Sequence, residues 1–171
     1  MNADEMIALA EQLSTRYNDK GRTTATYDAC GSWRNVVLRG DFALKSVQNF
    51  NDPDCILEWD TYIFIDERMR EFLAKPAYIS RNGRTIVMRR LSTPVSFEES
   101  ESFATRFHKA LRKCGYTFTV GDIKPTNLGK REDGTIVLLD YGNIGYDLEF
   151  GEKSFDNYER EKLQQALVKA A

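Results

Sequence analysis

Four residues in the second half of the chain have types and a spacing suited to handling charge. Asp122, Lys124 and Asn127 fall within Val120-Gly121-Asp122-Ile123-Lys124-Pro125-Thr126-Asn127, and Asp140 sits between the apolar run Ile136-Val137-Leu138-Leu139 and Tyr141-Gly142. As a pattern this reads D-x-K-x-x-N, a hairpin, then an apolar strand ending in D-Y-G. Carboxylates, an amide and an ammonium group can orient a proton and neutralise an anion. Other chemistries are thinly supplied. The single histidine, His108, rules out a multi-histidine metal centre, and its helical surroundings, Phe103 to Leu111, predict a solvated side chain. Cys30, Cys55 and Cys114 form no CxxC pair and read as reduced thiols of an intracellular protein. Catalysis here would have to run on carboxylates, lysines and a bound cation.

The elements that must position these residues are legible in outline. Met6, Leu9, Ala10, Leu13 and Tyr17 recur at helical spacing and predict an amphipathic helix from about Ala3 to Tyr17. Asn35 to Val47 alternates apolar and polar residues around Gly40-Asp41, which predicts two strands and a tight turn. Asp52-Pro53 offers a helix start, with Asp52 as N-cap and Pro53 at the first position. That helix is expected to reach about Ile63, with a further turn towards Leu73 and an end before Pro76. Ala77 to Ser80 and Arg84 to Arg90 predict strands around Asn82-Gly83, and Ser96-Phe97-Glu98-Glu99 opens a helix reaching about Cys114 and closed by Gly115. A loop at 120–127, a short strand near Leu128, a turn at Asp133-Gly134 and a strand over Thr135 to Leu139 follow, and Phe155 to Ala171 reads as a helix. The class is α+β.

Composition bounds the function. With 171 residues, the chain is sized for one domain. A formal net charge of −2 argues against a nucleic-acid binder and against an electrostatic membrane anchor. No apolar run is long enough to span a bilayer, and the acidic start Met1-Asn2-Ala3-Asp4-Glu5 is unlike a signal peptide.

The D-x-K-x-x-N and D-Y-G pair resembles the catalytic loop and the metal-binding Asp-Phe-Gly motif of the protein-kinase-like superfamily, with Asn127 five residues after Asp122 as in H-R-D-x-x-x-x-N. The resemblance spans about Gly31 to Gly142. It implies a two-lobed α+β fold, a small antiparallel-sheet lobe with one helix and a truncated helical lobe. It also implies one domain over 1–171, divided into a helical extension at 1–26, an N-lobe at 27–92 and a reduced C-lobe at 93–171. Phe42-Ala43-Leu44-Lys45 is similar to the V-A-I-K strand, so Lys45 is expected to hold the α- and β-phosphates of ATP. Glu58, in Cys55-Ile56-Leu57-Glu58-Trp59, is its expected partner, with Asp54, Asp60 and Glu67 as competitors. Asn127 and Asp140 are the implied Mg²⁺ ligands, Asp122 the group taking the hydroxyl proton, and Lys124 a contact of the transferring phosphoryl group. Gly31 and Ser32, in Cys30-Gly31-Ser32-Trp33-Arg34-Asn35, stand where the family has a glycine-rich loop. Met88 is expected near the adenine, or equally as core. Trp33 and Trp59 read as packing residues, and Arg68, Arg70, Arg89 and Arg90 as solvated charges.

Val120 and Gly121 replace the family's His-Arg, and only 31 residues follow Asp140, with no Ala-Pro-Glu. The chain is therefore similar to short kinase-like proteins carried as bacterial effectors or by bacteriophages. The resemblance implies an ATP- and Mg²⁺-dependent kinase acting on Ser/Thr hydroxyls of a protein, in the cytoplasm of a producing or host cell, with activity open to dependence on a partner protein. A non-catalytic kinase-like protein that binds or inhibits a partner is the alternative. A small-molecule kinase, suggested by Gly121-Asp122, is the third reading.

Overall fold

Strand alternation builds the first half of the molecule. The computed structural model describes residues 2–30, 33–118 and 122–146. Helix α1 (Ala3–Ser14) begins with a capping box, in which the Asn2 side chain accepts the Glu5 N–H and the Glu5 carboxylate accepts the Asn2 N–H, both at 2.9 Å. Strands β1 (Ala29–Cys30), β2 (Arg34–Arg39) and β3 (Phe42–Val47) follow, with β2 and β3 joined through Gly40 at φ 55°. Helices α2 (Asp54–Phe64) and α3 (Glu67–Arg70) precede β4 (Pro76–Ile79) and β5 (Thr85–Arg89). The five strands form one antiparallel sheet in the order β1-β2-β3-β5-β4.

Register gives this sheet two unlike faces. Val36 lies opposite Lys45, and Ala43 opposite Met88. Since side chains alternate along a strand, Val37, Leu44 and Val87 point away from that set and are buried against Met6, Ala10 and Leu13 of α1. The N-terminal helix, outside the kinase resemblance, is thus the cover of the sheet's outer face.

The second half is built on α4 (Phe97–Cys114), which starts with a Ser96/Glu99 capping box and ends at left-handed Gly115, φ 74°. Phe103, Phe107 and Leu111 line its buried face, with the Phe103 and Phe107 rings stacked at 5.4 Å and Phe72 against both. Strand β6 (Tyr116–Thr117), a 3-10 turn at Pro125–Asn127, the hairpin β7 (Leu128–Lys130) and β8 (Ile136–Leu138), and β9 (Gly145–Tyr146) complete the described chain. Tyr141 is fully buried here, and its hydroxyl donates to the Ala74 carbonyl at 2.6 Å. Among the described residues the chain is a mixed α+β protein with a small antiparallel sheet and four helices, and no helix is long and apolar enough to cross a membrane.

The structure departs from several expectations. Pro53, rather than Asp52, is the N-cap of α2, and it makes no side-chain cap bond. The Asp52 carboxylate is engaged in the preceding turn, accepting from the backbone and side chain of Asn49 at 3.3 Å each. The helix ends at Phe64, one residue beyond the expected Ile63, and the further turn expected towards Leu73 is a separate helix that ends at Arg70. Ile65 is extended, and Asp66 caps a new short helix by accepting the Arg68 N–H. His108 is half-buried beside Phe107, with Nε2 buried and without a hydrogen-bond partner among the described residues, in place of the solvated side chain expected. Trp33 is 67% exposed rather than a packing residue, because it precedes β2 where no layer of the described residues covers it. The helix expected over Phe155 to Ala171 lies outside the described residues.

Candidate active site

Lys45 occupies the inner face of β3, where it is 11% exposed, and its ammonium needs compensation there. It donates to Glu58 Oε1 at 2.8 Å and to the Leu139 carbonyl. Glu58 projects from α2 with no exposed surface and accepts from a second cation, Arg34. Of the four acidic candidates, Glu58 makes the Lys45 contact; Asp54 is half-buried on the cleft wall, and Glu67 is exposed. Burial and then Arg34 push the Lys45 pKa down, towards about 7, with Asp140 pulling the other way. The Glu58 carboxylate at 2.8 Å also favours the charged form.

Arg34 ties the two halves together, a role that the sequence reading missed. From β2, one nitrogen of its guanidinium donates to Glu58 and another to Asp140 Oδ1, and the residue is only 8% exposed. A signal was present in the alternation. Arg34, Val36 and Leu38 share a strand face with period two, the same face that turns Lys45 and Ala43 inward. Desolvation raises the pKa of the Asp140 carboxyl, but Arg34 and then Lys45 outweigh it and hold the group below the usual carboxylate range. On its open side Asp140 stays 54% exposed.

The hairpin brings Asn127 to this point. Leu128 pairs with Leu138, and the Leu139 N–H donates to the Asn127 carbonyl at 2.8 Å, so Asn127 stands beside the strand end that carries Asp140. The Asn127 side chain donates through Nδ2 to the Asp122 carbonyl at 3.0 Å, which orients its amide. Asn143 donates to Asp122 Oδ2 at 2.6 Å and fixes that carboxylate. Asn143 too escaped the sequence reading, since nothing about its spacing marks it. Lys124 is exposed, and its charge acts on Asp140.

All of these meet at one cleft of about 1220 Å³ between the sheet and the hairpin. Lys45, Asp122, Lys124, Asn127 and Asp140 line it, and Val36, Leu38, Ala43 and Met88 give it an apolar wall. Met88 is both cleft wall and core, only 1% exposed. Glu58 is buried behind Lys45 rather than lining the cleft. Arg89 and Arg90 are exposed but line the cleft, whereas Arg68 pairs with Asp66 outside it. Trp33 stands at the mouth. Gly31 and Ser32 lie outside the described residues. Gly142 packs so closely on α2 that an added Cβ would lie 3.2 Å from the Glu58 backbone nitrogen.

No protein-family model matches this chain, and no curated protein does. Among solved structures it is similar to the co-crystal structure of WbdD with the kinase inhibitor LY294002, at 18% identity and a TM-score of 0.43, over 71% of this chain. The chain spans 33% of that one, about a third of its length. The likeness is too slight to assign a family.

The donors at Asp140 are hard oxygens. Among the described residues no cluster of three or more His, Cys, Asp or Glu could hold a metal. One part-exposed carboxylate beside an oriented amide fits Mg²⁺, a hard ion that keeps several waters and takes its remaining ligands from phosphate oxygens.

Proposed function

We propose that this protein is an ATP- and Mg²⁺-dependent phosphotransferase with the two-lobed plan of the protein-kinase-like superfamily, acting on Ser/Thr hydroxyls of a protein. One observation carries the reading: Lys45, Asp122, Lys124, Asn127 and Asp140 come from three segments of the chain and line a single cleft. The Lys45–Glu58 pair at 2.8 Å supports it.

In this reading the substrate hydroxyl oxygen bonds to the γ-phosphorus while the bond from that phosphorus to the β,γ-bridging oxygen breaks, releasing ADP. The hydroxyl proton passes to the Asp122 carboxylate, which Asn143 holds in place. Lys45 meets the inner phosphates and Lys124 the transferring group, so their charges offset the anion that develops. Asp140 and Asn127 would hold Mg²⁺, which supplies charge neutralisation between the phosphates when bound. The apolar wall around Met88 would receive the adenine.

The test is transfer of labelled phosphate from ATP to the protein itself or to a generic protein acceptor. Asp122→Ala and Asp140→Ala are each expected to lower transfer by a factor on the order of 10² or more. Signal equal to wild type in both variants overturns the reading.

A second, non-catalytic reading is favoured by Arg34, which already occupies one oxygen of Asp140. In that case the cleft is a rigid joint, and the protein acts by binding a partner. Absence of thermal stabilisation by Mg·ATP, with partner binding that survives Asp140→Ala, would favour it. Turnover of a small alcohol or sugar without protein phosphorylation would move the assignment to a small-molecule kinase.

A further inference from the structure

Among the described residues, Arg34 is the one buried cation at the cleft that the proposed chemistry does not use. Its guanidinium bridges two carboxylates from different parts of the chain, Glu58 on α2 and Asp140 after β8. Arg34 and Lys45 bring two positive charges to this cluster, and Glu58 and Asp140 bring two negative ones. The next shell changes little, since Lys124 acts on Asp140 with one positive charge and Asp54 is felt by Arg34 as one negative charge. The four-residue cluster is therefore balanced, with two charges of each sign.

We propose that Arg34 makes metal binding conditional on nucleotide: its internal positive charge keeps a bare divalent cation off Asp140 and admits a metal–triphosphate complex. The proposal rests on the phosphotransferase reading. A lone divalent ion at Asp140 would bring two positive charges close to a buried guanidinium, and the two repel. A metal–triphosphate complex carries net negative charge instead. Its phosphate oxygens match the planar fork of an arginine, so the same side chain then attracts. Arg34 thus opposes the ion alone and favours the ion with its polyanion. The result is a coupling between two ligands at one site, set by a single residue.

The experiment is a binding titration of the full chain with MnCl₂ alone and with Mn·ATP, reading free Mn²⁺ by its paramagnetic signal and complex formation by calorimetry. Arg34→Met is expected to bind Mn²⁺ alone roughly tenfold or more tighter than wild type, and Mn·ATP roughly tenfold weaker. Arg34→Lys keeps the charge and is expected to exclude bare Mn²⁺ as wild type does. Adding Asp140→Asn to Arg34→Met should abolish the gain, which locates the ion. Should Arg34→Met fail to fold, Arg34→Gln carries the same charge change with a polar side chain. Bare-Mn²⁺ affinity that is unchanged or weaker in the neutral variant overturns the proposal. Equal Mn·ATP binding by wild type and variant overturns it while leaving the phosphotransferase reading intact. No Mn·ATP binding by the wild type overturns that reading, and the proposal with it.

Discussion

The same strands present two faces that solve burial differently. On the outer face, Val37, Leu44 and Val87 meet Met6, Ala10 and Leu13 in apolar contact, with hydrogen bonds from Tyr78 to Glu11 and from Asn82 to the Ser14 carbonyl at its edge. On the inner face, Val36, Leu38 and Ala43 share the surface with Arg34 and Lys45, whose charges are matched by Glu58 and Asp140. The outer face tolerates small errors of shape at a graded cost. The inner face is intolerant, because removing one member leaves another charge buried without its partner. Apolar packing and charge pairing are thus divided between neighbouring residues of single strands.

Glu58→Ala should break the comparison hardest. It strips Lys45 and Arg34 of their shared buried carboxylate, and a loss of about 3–5 kcal/mol in unfolding free energy is expected from urea titration. Leu44→Ala, one residue before Lys45 and fully buried, should cost about 3 kcal/mol by cavity formation. It should leave the relative stabilisation by Mg·ATP nearly unchanged, and a variant that lost both equally would erase the distinction between the faces.

Gly142→Ala sharpens the contrast on the inner side. The new Cβ would sit 3.2 Å from the Glu58 backbone nitrogen, so α2 must move by a few tenths of an ångström at a cost of about 1–2 kcal/mol. Because Glu58 moves with α2, Gly142→Ala is expected, on the proposed phosphotransferase reading, to weaken stabilisation by Mg·ATP, where Leu44→Ala leaves it nearly unchanged.

The smallest effect belongs to an exposed ion pair, Asp66 with Arg68 at 2.7 Å. The Arg68 side chain, then the Arg68 backbone N–H, hold the Asp66 carboxyl down at about 2, against an ordinary 3.8. Its contribution is fully present above the ordinary value and is lost as pH falls towards about 2. Asp66→Asn should therefore match wild type at low pH and differ slightly near neutrality. Urea midpoints at a series of pH values check this, and a difference that grew towards low pH would contradict it.

Local chemistry in the sequence foretold much of this. Asn82-Gly83 marked the β4–β5 hairpin, Ser96 and Glu99 marked the start of α4, and Gly115 marked its end. These signals act within a few residues, through turn geometry and capping bonds, and need no distant partner. The end of α2 near Ile63 was legible, but not that the next turn would be a separate helix, because helical spacing continues through Ile65 while its backbone is extended. Trp33 read as a packing residue since nothing local says whether a second layer will cover it.

For the cleft, residue order and type by themselves determined which groups could carry charge chemistry: Lys45, Asp122, Lys124, Asn127 and Asp140. Strand alternation determined that Lys45 and Leu44 must face opposite ways. Tertiary structure alone decided that Arg34 reaches Asp140, 106 positions away, and that Asn143 reaches Asp122. Such pairings depend on where whole elements dock. A buried charge takes as its partner whichever opposite charge the packing of the halves brings within reach, a choice that no local pattern encodes.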